Sequence, residues 1–167
     1  METFIKDLTY EIVKDLPFEE ILNYCQAYRN TKQALNLCNS ASFWVKVGKY
    51  KFPEITPEWE DRIKNKATSL GKFYRNLADV LSNLRDLVMQ HTLIGLEIQG
   101  LTIIPAAFIN SILDKVELVG RSAKLKISIA INGNYIVRNG NVLTVLTPYE
   151  FNLFLMYILI TARTILY

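Results

Sequence analysis

Histidine is almost missing from this sequence, and cysteine occurs only twice. The single histidine, His91, sits in LVMQHTLIG, a stretch with no acid and no cysteine. A catalytic or metal-binding histidine needs such partners, so a structural or exposed role is expected. Cys25 and Cys38 both fall in apolar, helix-like patterns, with no second cysteine or histidine at ligand spacing. They read as separate buried thiols acting as small hydrophobes. No disulfide framework is implied, and a reducing compartment is expected. A phosphate-binding loop, a G-x-S-x-G elbow and an acidic metal cluster are all absent from the text. GLEIQG has two glycines but no strand-loop-helix context for phosphate. The expectation is a protein without enzymatic activity, without cofactor and without metal.

Charge of one sign is also scarce. Nineteen Lys and Arg face sixteen Asp and Glu, for a net charge of +3. The signs are mixed along the chain, and the longest basic patch, DRIKNK, opens on an acid. With no basic stripe, a nucleic-acid partner is not expected. Long apolar runs are lacking too. The apolar end, FNLFLMYILITARTILY, has an uninterrupted core only from Leu153 to Ile160. That is far short of the roughly 20 residues a span requires, so a buried helix is expected and no membrane span. METFIKDLTYEI carries acids early and does not read as a signal peptide.

What is present is apolar content: half of the 167 residues are hydrophobic, enough for one domain or two small ones. In DLPFEEILNYC, Pro17 suits a first helical turn and Glu19 and Glu20 suit its positive end. Ile21, Leu22, Cys25 and Tyr28 follow at helical spacing. Thr31 would cap a second helix carrying Ala34, Leu35 and Cys38. Ser40 or Ser42 would cap a third, with Phe43, Trp44, Val47 and Tyr50 inward. KFPEITPEWE reads as an extended linker between two prolines. From Trp59 to Val88 the apolar positions Trp59, Ile63, Leu70, Phe73, Leu77, Val80, Leu84 and Leu87 predict one long helix, kinked or divided at Gly71.

The period changes near the end. PAAFINSILDKV reads as a helix opened by Pro105. In KLKISIAI the residues Leu125, Ile127, Ile129 and Ile131 alternate with smaller or polar ones, which predicts a strand with one buried face. Asn132-Gly133 and Asn139-Gly140 predict tight turns into second and third strands. Thr147-Pro148 then caps a last helix. The expected fold is mainly α with a small antiparallel sheet, an α+β chain in three parts: residues 1–52 helical, 53–91 linker and long helix, 92–167 a helix, a three-stranded meander and a last helix.

Residues 15–52 resemble an F-box, through LPFEEILNYC, then ALNLC, then SFW, then the trailing YKF. A Cys in the first helix, an apolar-x-Cys in the second and Phe-Trp opening the third is similar to F-box-like N-termini of large DNA viruses of the marseillevirus and iridovirus kind. The resemblance implies a three-helix module that docks on the Skp adaptor subunit of a cullin–RING ubiquitin ligase. It implies Leu16, Pro17, Glu19, Ile21, Leu35 and Trp44 as partner-binding residues. It also implies residence in host cytoplasm or nucleus, with the C-terminal part capturing a target. The alternative is a viral structural protein that keeps the module as a scaffold and binds capsid proteins within the virion.

Overall fold

The computed structural model describes residues 2–27, 37–66 and 69–167. The chain divides into two compact units, Met1–Ser82 and Asn83–Tyr167. The division falls inside one helix, so the expected middle part, 53–91, is shared between them. The fold is mainly helical α+β: seven α-helices and one five-stranded antiparallel sheet among the described residues.

The first unit holds α1 (Glu2–Val13), α2 (Phe18–Ala27), a 3₁₀ turn (Leu37–Asn39), α3 (Ala41–Lys51), α4 (Pro57–Lys66) and the first part of α5 (Leu70–His91). Ser40 caps α3, its hydroxyl accepting from the Phe43 amide at 3.5 Å. Thr56 does the same for α4 at the Trp59 amide. The long helix expected from Trp59 to Val88, kinked or divided at Gly71, is two helices, and the division falls before Gly71. The second start is Ser69, whose Oγ accepts from the Lys72 amide at 3.2 Å and satisfies a donor the helix leaves orphaned. Gly71 divides nothing: it lies within α5, where a Cβ would stand 2.5 Å from the Ala41 carbonyl. Glycine there permits a close approach.

The core of this unit is aromatic. Phe18 meets Trp44 edge-on at 6.0 Å and Phe52 at 5.6 Å, and Phe52 stacks on Tyr74 at 5.9 Å. The Tyr74 ring lies against Gly48, where any Cβ would overlap it. Of the residues expected inward on α3, Phe43, Trp44 and Val47 are buried but Tyr50 is exposed. Its hydroxyl is spent on Asp15 at the surface.

The second unit holds the end of α5, β1 (Ile94–Gln99), α6 (Ala107–Val116), β2 (Ser122–Ile129), β3 (Tyr135–Asn139), β4 (Val142–Leu146), α7 (Pro148–Thr161) and β5 (Arg163–Leu166). Strand order is β4-β3-β2-β1-β5. The expected meander β2-β3-β4 is present, but it forms only part of the sheet. GLEIQ lies in an interior strand, β1, and the last residues are not helix but the edge strand β5. Helix α7 stops at Thr161 because Ala162 turns to extended backbone, φ −146 and ψ 173.

Leu125 and Ile127 are buried as expected, Ile129 is half-buried, and Ile131 is fully exposed. Ile131 lies beyond the strand, in a three-residue loop with Asn132 and Gly133. Gly133 takes φ 87 and its amide reaches the Ala130 carbonyl, a turn closed by a left-handed residue. The second turn sits one residue later than expected. Asn139 pairs with Val142, so Gly140 and Asn141 form the loop, with Gly140 at φ 59.

Helices α6 and α7 cover one face of the sheet. Thr147 and Glu150 make a reciprocal capping box at the start of α7. From Phe151 to Ile158 nearly every side chain is buried, as befits a helix that is apolar all round. Tyr135 stacks on Phe151 at 4.0 Å, and the Tyr157 hydroxyl donates to the Ile104 carbonyl at 3.3 Å.

Open space surrounds the position of a Gly140 Cβ, so only backbone conformation opposes a side chain there. Gly140→Val is expected to cost about 1–2 kcal/mol, the penalty of a left-handed L-residue. Gly140→Asn should cost less. Urea denaturation of the three proteins measures the order, and equal midpoints would show the turn to be of another kind.

Candidate docking surface

Helix α1 ends at Val13, and the chain turns sharply before α2. The Leu16 amide donates to the Val13 carbonyl at 3.0 Å. The Pro17 carbonyl accepts from Glu20 and Ile21, opening α2. The Leu16 carbonyl accepts from Lys51 Nζ at 2.6 Å, across from the end of α3. Beside it the Tyr50 hydroxyl donates to Asp15 Oδ1 at 2.5 Å, which raises the Tyr50 pKa. Burial lowers the pKa of Lys51, with Asp15 and Glu19 pulling it back up. Lys46 Nζ lies 4.1 Å from the centroid of the Tyr10 ring. The turn between the first two helices is therefore tied to α3 by bonds to its backbone and to Asp15.

The six residues implied by the resemblance separate into three groups. Leu16 is half-buried and Pro17 is exposed, on a turn whose shape is held. Glu19, Ile21 and Trp44 are buried in this unit's own core, at 8%, 0% and 1% exposure. They lie beneath the surface that Leu16 and Pro17 form. Leu35 lies outside the described residues, as do Tyr28, Thr31 and Ala34 of the expected first and second helices. Two residues that no motif pointed to add apolar surface: Leu8 and Ile12, one helical turn apart on α1, are each more than half exposed. Their i, i+4 spacing was readable, but which side of α1 would be covered was not.

Cys25 and Cys38 are joined as a disulfide, with Cα atoms 5.5 Å apart. This corrects the expectation of two separate buried thiols. Cys25 is buried but Cys38, in the 3₁₀ turn, is only half-buried. The last turn of α2 faces the residues just ahead of α3, a proximity that a separation of thirteen residues does not reveal. Trp44 Nε1 donates to the Cys38 carbonyl at 2.7 Å, so the same turn seats the indole against Phe18.

Elsewhere in this unit, the buried Tyr74 hydroxyl has no hydrogen-bond partner. Burial, with the Glu60 carboxylate adding to it, pushes its pKa up to about 12. Among the described residues no group of three or more His, Cys, Asp or Glu is placed to hold a metal. No helix among them is long and apolar enough to cross a membrane. His91 is exposed at the end of α5. No protein-family model, curated protein or solved structure matches this chain.

Two outcomes follow from this packing. Reduction of the disulfide should lower stability by about 3 kcal/mol, the loop-closure value for a link of this length. The Cys25→Ser, Cys38→Ser protein should show that lower value whether or not reductant is present; a wild-type denaturation curve indifferent to dithiothreitol would mean the link does not form. Tyr74→Phe removes an unsatisfied buried hydroxyl and is expected to raise stability by about 1 kcal/mol, read from the same curves.

Proposed function

We propose that this chain is a non-enzymatic interaction adaptor of the F-box-like kind, docking through the α1–α2 turn on the Skp subunit of a cullin–RING ubiquitin ligase. The observation that carries the reading is Leu16-Pro17: an accessible apolar pair on a turn whose backbone is already fixed by Lys51 and Val13. A docking group that is pre-ordered loses less entropy on binding than a loose one. Exposed Leu8 and Ile12 supply further apolar area on the helix leading into it. The second unit then holds a target, and the ligase acts by raised local concentration. No bond is made or broken by the chain.

A second reading, a structural component of a virus particle that binds capsid proteins, is favoured by one observation. Disulfides persist in oxidising surroundings and on virion surfaces and are rare in the cytosol, and this chain carries Cys25–Cys38. On this reading the apolar turn seats against a neighbouring subunit.

Calorimetry with purified Skp adaptor decides between them. The wild-type chain should bind, and Leu16→Ala with Pro17→Ala should weaken binding by about 1–2 kcal/mol per anchor. Circular dichroism checks that the double variant is folded. No heat with the wild-type chain, or an affinity the double change leaves untouched, removes the ligase reading.

A further inference from the structure

Within the second unit, α6 and α7 lie on one face of the sheet, and no helix of this unit covers the other. Its composition follows from the register. Leu143, Arg138, Lys126 and Gly95 stand in one row across four strands. Val145, Ile136 and Ser128 make the next row, and Lys124, Glu97 and Ile165 another. Arg163 stands beside Gln99 at the far end of β1. Leu143, Val145 and Ile165 are each about half exposed, at 53%, 52% and 48%. Lys124, Lys126, Arg138 and Arg163 are exposed too. Four cations thus share this face with one carboxylate, Glu97, which already accepts from the Gln99 amide at 2.8 Å.

We infer that this open face binds an acidic amphipathic helix of a partner protein. The inference deepens the adaptor reading by naming its target-holding surface, and it stands on the sheet alone. Strands lie about 4.8 Å apart, so the aliphatic edge on β4 and the lysines on β2 are separated by about 10 Å. That is about the width of one helix with its side chains. A helix lying along the sheet would set its aliphatic side on Leu143, Val145 and Ile136 and its carboxylates over Arg138, Lys126 and Lys124. The charge also opposes a second copy of this chain stacked face to face, since it would bring eight cations and two carboxylates together. Single-stranded nucleic acid fits less well. Base stacking needs free aromatic rings. The aromatic here, Tyr167, has its ring laid on Gly95 with Lys126 Nζ 5.1 Å from the centroid.

The test is selection of displayed random peptides on the full chain, followed by fluorescence anisotropy of the enriched peptides and of a labelled oligothymidine. Enriched peptides should be rich in Asp and Glu, with aliphatic residues at i, i+3 and i+4. Arg138→Glu should weaken them by about tenfold or more, as loss of an interfacial charge does. The cross-strand neighbours of Arg138 are Leu143 and Lys126, so the new carboxylate faces a cation and the sheet is not strained. Leu143→Ser with Val145→Ser should weaken them as well, with folding checked by circular dichroism. Absence of enrichment, enrichment of peptides without acids, or affinity unchanged in both variants overturns the inference. Oligothymidine binding as tightly as the best peptide also overturns it, in favour of a nucleic acid. The Leu16→Ala, Pro17→Ala chain should keep the peptide affinity whole, which separates this surface from the ligase reading.

Discussion

Strand β1 is hydrogen-bonded along both edges, to β2 on one side and β5 on the other, and the second unit is organised around that pairing. Ile94, Leu96 and Ile98 point to the covered face and are buried. Gly95 points the other way and makes room for the Tyr167 ring, while its backbone exchanges bonds with Tyr167. Without β1, the C-terminal residues would have no edge to join, and the meander would end on an open β2. Because β1 joins β5 to the meander, the sheet reaches five strands, and α6 and α7 cover one face of it. The opposite face is left with a row of cations beside an aliphatic edge.

In the first unit the corresponding constraint is a line of rings. Trp44, Phe18, Phe52 and Tyr74 touch in that order, and three different helices and the residue that follows α3 contribute to the line. Phe18 is the first residue of α2, so the position of Leu16-Pro17 follows from how Phe18 is gripped. The disulfide and the Trp44 indole both fasten the 3₁₀ turn next to that grip. An accessible apolar pair is thereby presented by a buried aromatic core, and Lys51 holds the turn in place from the side.

Local chemistry made much of this legible. Thr147 with Pro148 and Glu150, Ser40 before Phe43-Trp44, and the glycines of the two hairpin loops are short-range signals, and each acts where it stands in the chain. The alternation of Leu125 and Ile127 marked β2 for the same reason. β1 carried a comparable signal, Ile94, Leu96 and Ile98 alternating with Gly95, Glu97 and Gln99, but it is short and has no hairpin turn of its own to mark it. Gly71 is ambiguous in sequence because a glycine in a helix can mark a break or a close neighbour, and the neighbour, Ala41, is thirty residues away.

The sequence alone determined which segments are helix or strand wherever capping residues, turn residues or a period of two spoke locally, because those preferences arise within a few residues of each other. Only the tertiary structure decided the rest. The apolar tail ILY joined a sheet because β1 offered an unpaired edge to it. Cys25 met Cys38 because α2 packs beside the turn that precedes α3. Glu19, Ile21 and Trp44 went inward while Leu16 and Pro17 stayed accessible, because burial depends on which other surfaces arrive, and those come from residues far away in the chain.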